Sequence, residues 1–340
     1  MRITHHRLIG LNTLMVIEII KQKNLPIPKN INLDKILDVL GRQQRDNRKI
    51  FKNYLGAPDL VMDVYIEMPF GMDDKYEFCG HSLSAFQHFI IPQNGKYRGY
   101  NWDYDDSLAV LEELGDILMT MFSTDVKYDP TVEEYGFSPE IMVKSPMSLL
   151  VDRLGGNVDL DDFEFPTAAE VGGYYGDVVA KDKNHSIITR IKAAGFSLHF
   201  VMDACCAHHV MGYLMNGHSE WEAHLESNWR SRFDNPKDQK QLNKKFEIIA
   251  KEISDYLMEN QELSKLKSVK EVIESNAEFT NEWLKTNNNI EMAMRGKINR
   301  HETKKICNRA IASCIVALNL MFWFPIKTFS KFATNFQQSV

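Results

Sequence analysis

Residues 199–222 read HFVMDACCAHHVMGYLMNGHSEWE and place four histidines and three carboxylates within 24 residues. His199 and Asp203 are four residues apart, so on a helix they lie on one face, one turn from each other. His218 and Glu222 repeat this spacing. Imidazole nitrogen and carboxylate oxygen bind divalent cations, and zinc is the cation that this mixture of donors favours. Two such pairs with a histidine between them indicate more than one metal ion.

The histidine between the two pairs is either His208 or His209. If one helix runs through this segment at about 100° per residue, His209 lies roughly 80° from His199, whereas His208 lies on the opposite side. His209 is therefore the expected ligand. The alternative interpretation, helix-surface pairs without a metal, leaves His209 without a role.

Further candidate ligands precede this segment. They are histidines and aspartates at the start of the chain and near residue 80, namely His5, His6, Asp73, Asp74, His81 and His88. The first two follow Thr4, a plausible helix N-cap, and open an apolar segment. Each residue alone is typical of a solvated turn or a buried ring. Together they give three groups of ligand-type residues along the chain.

This order of motifs resembles the zinc-dependent phospholipase C family, within the superfamily that includes the S1/P1 nucleases. The segment 197–209 matches the family's S-L-H-Y-x-x-D-x-x-x-x-x-H helix, and HSEWE at 218–222 matches H-S-K-[YF]-E. HFIIPQNGK at 88–96 matches H-F-x-x-P-x-N-G-K, and THHRLI at 4–9 loosely matches [ST]-H-x-x-I-[IV]. The resemblance touches most of the chain as separate islands, of which only the central motif is specific by itself.

The resemblance implies two or three zinc ions. They would be held by Asp74, His88, His199 and Asp203; by His209, His218 and Glu222; and by His5, the N-terminal backbone and Asp203. Asp203 would thus bridge two ions, and His6 is the alternative to His5. Asp74 stands fourteen residues before His88, as in the family. It is also the expected catalytic residue, which orients or deprotonates the attacking water.

The expected function is zinc-dependent hydrolysis of a phosphodiester, by a phospholipase C that releases diacylglycerol and a phosphorylated head group. Clustered zinc ions neutralise phosphate charge and lower the pKa of bound water. Glu222 favours phospholipid, because S1/P1 nucleases mostly carry Asp at the matching position. The net charge of −6 gives no basic footprint of a nucleic-acid binder. The alternatives are an S1/P1-like nuclease or nucleotidase and an inactive zinc-binding homologue.

Apolar periodicity is mainly helical and predicts an all-α fold, a single catalytic domain over residues 1–340. The expected helices are 8–21, 34–54, 107–123, 186–215, 240–260, 269–285 and 298–324. Strand signals are short, at 64–67 and 89–91. Residues 136–183 are rich in Gly, Asp and Pro and are expected to form an inserted loop-rich segment, a candidate lid. The apolar run 310–326 is short for a membrane span and is expected to be a buried helix.

A phospholipid substrate implies transient contact with a membrane surface, through exposed aromatic residues such as Tyr174, Tyr175 or Trp102, or through the C-terminal segment. The five cysteines are an odd number, which favours reduced thiols. Adjacent Cys205 and Cys206 are weak candidate ligands, because no C-x-x-C partner accompanies them. No secretory signal precedes the first histidine, so we expect a cytoplasmic protein if the chain is native from Met1 and a secreted one if it is a mature form. The sequence leaves the oligomeric state open.

Overall fold

The computed structural model describes residues 3–56, 58, 88–100, 167–213, 217–233, 238–286 and 288–323. Among these residues 73% are helical and 3% are in strands, which confirms the all-α prediction. The expected helix 107–123 and the expected strand 64–67 lie outside the described residues.

The described elements are α-helices, one π-helical segment and one short hairpin. In chain order they are α1 (Ile3–Lys23), α2 (Leu33–Leu40), α3 (Arg45–Tyr54), β1 (Ile91–Gln93), β2 (Lys96–Arg98), α4 (Ala168–Gly173), the π-helical segment Tyr174–Ala180, α5 (Ile187–Asp203), α6 (Ala207–Met211), α7 (His218–Arg230), α8 (Gln239–Glu259), α9 (Gln261–Lys265), α10 (Val269–Leu284), α11 (Asn289–Met294) and α12 (Arg300–Phe322).

Helix α5 lies at the centre of the molecule. It packs against α3, α4, α10, α12 and the π-helical segment. Every residue from Ala193 to Asp203 is buried, so no face of its C-terminal half is solvated. A helix that is apolar on all sides is a core helix. Its two polar ligand candidates, His199 and Asp203, are thereby carried into the interior.

Helix α12 is the second core helix. Among the described residues it is the one helix long and apolar enough to span a membrane, and 89% of its most apolar window is buried inside the protein. It packs against α1, α5 and α10. The expectation of a buried helix in this apolar run agrees with that burial.

The predicted helix 34–54 is two helices, α2 and α3. The chain leaves the helical conformation at Gly41, whose amide closes α2 by donating to the Leu37 carbonyl at 2.8 Å. The strand signal near residue 90 corresponds to the hairpin of β1 and β2. Its turn residues Asn94 and Gly95 have φ of 51° and 76°, the positive values that two-residue hairpin turns favour.

The prediction of one helix over 186–215 is wrong. Helix α5 ends at Asp203, and α6 begins only at Ala207. Two buried side chains of α10 donate hydrogen bonds to backbone carbonyls at this break. Asn276 Nδ2 donates to Val201 O and Thr280 Oγ1 donates to Ala204 O, both at 2.8 Å. Because these carbonyls have partners from another helix, α5 can end inside the core without leaving them unsatisfied.

The predicted loop-rich segment 136–183 is helical from Ala168 to Ala180 and mostly buried there, whereas residues 136–166 lie outside the described residues. A capping box begins α4, in which Thr167 and Glu170 each accept from the other's backbone amide. A Cβ on Gly172 would lie 2.7 Å from Phe200 Cβ, and one on Gly176 would lie 2.6 Å from Ser197 Oγ. These glycines therefore permit close packing against α5.

The same segment carries two of the aromatic residues that were expected to meet a membrane, whereas Trp102 and the C-terminal residues 324–340 lie outside the described residues. Tyr175 is buried and its ring packs 4.3 Å from that of Phe196. Tyr174 packs against the core cluster and is partly buried. Tyr175 is therefore not available as a membrane contact, because the π-helical segment turns it toward α5.

Candidate metal centre

Asp203 is the last residue of α5, and imidazoles surround both of its carboxylate oxygens. Oδ2 lies 2.6 Å from His88 Nδ1 and 3.0 Å from His199 Nε2. Oδ1 lies 2.9 Å from His6 Nε2 and 3.4 Å from His209 Nδ1. We call Asp203, His6, His88 and His199 the Asp203 cluster. All four are buried, so a charged carboxylate is held here in the protein interior.

His199 is oriented by the backbone. Its Nδ1–H donates to the carbonyl of Leu55, directly after α3, at 2.9 Å. This bond places a proton on Nδ1, so Nε2, which lies 3.0 Å from Asp203 Oδ2, is the nitrogen available to a metal ion. Metal-binding histidines typically have such a partner on the second ring nitrogen, because it fixes the tautomer and the ring orientation.

The second group of ligand-type side chains lies on α6, on α7 and at the break between α5 and α6. His218 Nε2 lies 3.0 Å from Glu222 Oε1, and Cys206 Sγ lies 3.9 Å from each of these two atoms. One ligand atom each from Cys206, His209, His218 and Glu222 falls within a mutual distance of 4.8 Å. We call these four residues the Glu222 cluster.

His209 joins the two clusters. Its Nδ1 faces Asp203 at 3.4 Å, and its Nε2 lies 4.0 Å from Glu222 Oε1. His208 is also buried, but its ring stacks on that of His218, with centroids 4.9 Å apart and planes 11° apart. The structure thus brings His209 to both carboxylates although the helix is broken before it.

Electrostatics in the centre favours bound cations. Burial raises the pKa of Asp203, but the surrounding histidines, with His199 foremost, outweigh it and hold the pKa well below its usual value. Burial lowers the pKa of His209 to about 3, so this imidazole is neutral at pH 7 and has a free lone pair. Burial also lowers the pKa of His218, but Glu222 and Cys206 outweigh it and raise it to about 10. The Glu222 cluster therefore attracts positive charge.

The structure places His6, and not His5, against Asp203. Consecutive residues on α1 point about 100° apart, so only one of the two histidines faces this carboxylate. His5 is fully buried and neither of its ring nitrogens has a hydrogen-bond partner. Burial, followed by the neighbouring His6, lowers its pKa well below the usual value. His6, which was the alternative to His5 as a ligand of the third ion, is thus the better placed of the two.

The donor atoms lie close enough together to surround common ions. Two ligands at about 2.0–2.1 Å from a tetrahedral zinc ion lie roughly 3.3 Å apart. The contacts around Asp203 range from 2.6 to 3.4 Å. The buried His5 and His209 nitrogens without hydrogen-bond partners add donors that are not otherwise used. The two clusters could therefore hold metal ions.

Six of the eight expected ligands belong to the two clusters. They are His88, His199, Asp203, His209, His218 and Glu222. Asp74, the expected catalytic residue, lies outside the described residues. Cys206 is the ligand-type residue that the sequence did not favour. Its position three residues after Asp203 and three before His209 was the available signal.

Comparisons with protein-family models, with curated proteins and with solved structures gave no match. The resemblance described above therefore rests on the quoted motifs alone.

Proposed function

We propose that this protein is a zinc-dependent phosphodiester hydrolase. The observation that carries the proposal is the division of the Asp203 carboxylate between two sets of imidazoles. His88 and His199 lie at one oxygen and His6 lies at the other. A carboxylate shared in this way is suited to bridge two cations. The Glu222 cluster next to it supplies a further site.

Zinc is the metal that we propose for these sites. The donors are mostly imidazoles with carboxylates and one thiol, a mixture that suits zinc better than magnesium or calcium. Asp203, His88 and His199 would hold one ion, together with Asp74. His209, His218 and Glu222 would hold a second. His6, with Asp203 as the bridge, would hold a third.

Bound zinc supplies Lewis acidity and lowers the pKa of a water molecule. The protein's own contribution is to position and insulate the charges. The Leu55 carbonyl fixes the His199 ring, and burial keeps His209 neutral. Asp74 is proposed to orient or deprotonate the water, as the resemblance implies. The transition state of phosphodiester hydrolysis is negatively charged, and bound cations would stabilise it. The buried carboxylates Asp203 and Glu222 would balance the positive charge of these cations.

We propose phospholipid as the substrate class, which makes the protein a phospholipase C. Glu222, placed in the second cluster, is the residue type that the phospholipase motif carries at this position. The net charge of −6 also disfavours a polyanionic nucleic acid. The Asn94-Gly95 pair of the 88–96 motif forms the hairpin turn, which explains why these two residue types occur there. This pair is therefore evidence about the fold and not about the substrate.

Metal content tests the metal half of the proposal. Freshly purified protein should contain two or three equivalents of zinc by elemental analysis. Glu222→Ala should lose one equivalent, because it removes a ligand of the second cluster. Glu220→Ala is the matched control, since Glu220 is exposed on the first turn of the same helix and should leave the content unchanged. Less than one equivalent in the unmodified protein contradicts the proposal.

A parallel assay tests the substrate. The zinc-loaded protein is incubated with mixed phospholipid vesicles and, separately, with single-stranded DNA. We expect diacylglycerol and a phosphorylated head group from the vesicles. Release of nucleotides with intact lipid would replace the phospholipase by a nuclease acting at the same metal centre. Full zinc content with no turnover of either substrate would indicate a zinc-binding homologue without activity.

A further inference from the structure

Cys206 lies between α5 and α6, and its thiol faces the other members of the Glu222 cluster. The residue is fully buried, and its backbone is extended, with φ of −88° and ψ of 126°. Its Sγ lies 3.9 Å from His218 Nε2 and 3.9 Å from Glu222 Oε1. The break in the helix thus brings a soft donor to a group that already contains imidazole and carboxylate.

The neighbouring cysteine provides an internal comparison. Cys205 is equally buried, but its Sγ contacts the Val201 carbonyl one turn back on α5. Cys205 is also absent from the group of donor atoms that lie within 4.8 Å of one another, whereas Cys206 belongs to it. Two adjacent buried thiols therefore have different surroundings.

We propose that Cys206 is a metal ligand of the Glu222 cluster and binds as a thiolate, together with His209, His218 and Glu222. Zinc–sulfur bonds of about 2.3 Å and zinc–nitrogen bonds of about 2.0–2.1 Å place sulfur and nitrogen roughly 3.6 Å apart in a tetrahedral site. The observed 3.9 Å separation is close to this value. His209 offers its Nε2 to the same group, 4.0 Å from Glu222 Oε1.

Binding through Cys206 has a defined chemical balance. The S–H bond breaks, a sulfur–metal bond forms and the proton leaves to solvent, with no change in oxidation state. The cluster then offers four protein donors, the number that closed structural zinc sites use, whereas catalytic sites keep one position open. The reacting water would accordingly belong to the Asp203 cluster. This inference rests on the metal binding of the proposed function and not on its substrate.

The test is spectroscopic and needs no activity. Zinc is replaced by cobalt(II), and cobalt content and near-ultraviolet absorption are measured for the unmodified protein and for C206S, C205S and C79S. A thiolate bound to cobalt gives a sulfur-to-metal charge-transfer band. We expect the band in the unmodified protein, C205S and C79S, and its loss in C206S.

Three results would overturn the assignment: cobalt uptake without the band in the unmodified protein, a band that survives in C206S, or a band lost in C79S. No cobalt or zinc uptake at all would refute the metal centre as well, so the two failures are distinguishable. If C206S does not fold, X-ray absorption of the unmodified zinc protein decides whether sulfur is bound. A sulfur neighbour at about 2.3 Å supports the proposal together with the C205S and C79S spectra, and its absence refutes it.

Discussion

At the residue scale, His208 and His209 are adjacent but have different surroundings. His209 lies between the two buried carboxylates, whereas His208 stacks on the ring of His218. We predict that His209→Ala lowers the zinc content by one equivalent, because it removes a ligand of the Glu222 cluster. His208→Ala should keep the zinc and lower the free energy of unfolding by about 2 kcal/mol, the cost of lost packing.

Elemental analysis and denaturant unfolding of the two variants give the answer. His208→Ala also controls for the general effect of removing a buried ring beside the centre. The prediction is wrong if His208→Ala loses zinc while His209→Ala retains it.

The phase argument selected His209, which lies between Asp203 and Glu222, but the premise of that argument is wrong. The phase argument assumed one helix, and the helix is interrupted at residues 204–206. The break depends on Asn276 and Thr280, more than 70 residues away, so no local pattern contains it. The same break turns Cys206 toward His218 and Glu222, which is why periodicity and C-x-x-C spacing did not favour this residue.

At the scale of elements, the π-helical segment packs against α5 through glycine. A Cβ on Gly176 would lie 2.6 Å from Ser197 Oγ and 2.7 Å from Val269 Cγ2. We predict that Gly176→Ala lowers the free energy of unfolding by about 1–3 kcal/mol, because α5 has no room to move. Val178→Ala in the same segment is the control. Val178 is 50% exposed, so its truncation should change stability by less than about 0.5 kcal/mol.

Urea unfolding monitored by circular dichroism measures both variants. Equal stability of Gly176→Ala and the unmodified protein would show that the segment does not pack against α5 as described. The glycines in this stretch predicted a loop, but glycine also permits tight helix contacts. Whether this stretch forms a loop or a tight helix contact depends on Ser197 and Val269, and these partners lie outside it in the sequence.

At the scale of the whole molecule, the centre joins segments from most of the described chain. Candidate ligands come from α1, from His88 three residues before the hairpin, from α5, from the break after it, from α6 and from α7. A cation that binds only the folded state stabilises it by about 3 kcal/mol when the free metal is at 100 times Kd. We therefore predict that a chelator lowers Tm by roughly 4 °C for each ion that it removes, as expected for a chain of this size.

Thermal denaturation with and without chelator tests this prediction, and addition of zinc should restore the original Tm. Glu222→Ala should show a smaller decrease on chelation, because one site is already lost. A Tm that does not respond to chelation, in protein whose zinc has demonstrably been removed, would contradict a structural contribution of the metal.

The contact between His6 and Asp203 also has a consequence for how the protein is made. The two residues are 197 positions apart, and synthesis at about 5–20 residues per second separates their appearance by roughly 10–40 s. During this interval α1 has neither its carboxylate partner nor the core helices α5 and α12. Glu222 appears later still. An ion that needs both clusters could therefore be held only after Glu222 has been made, about two thirds of the way along the chain.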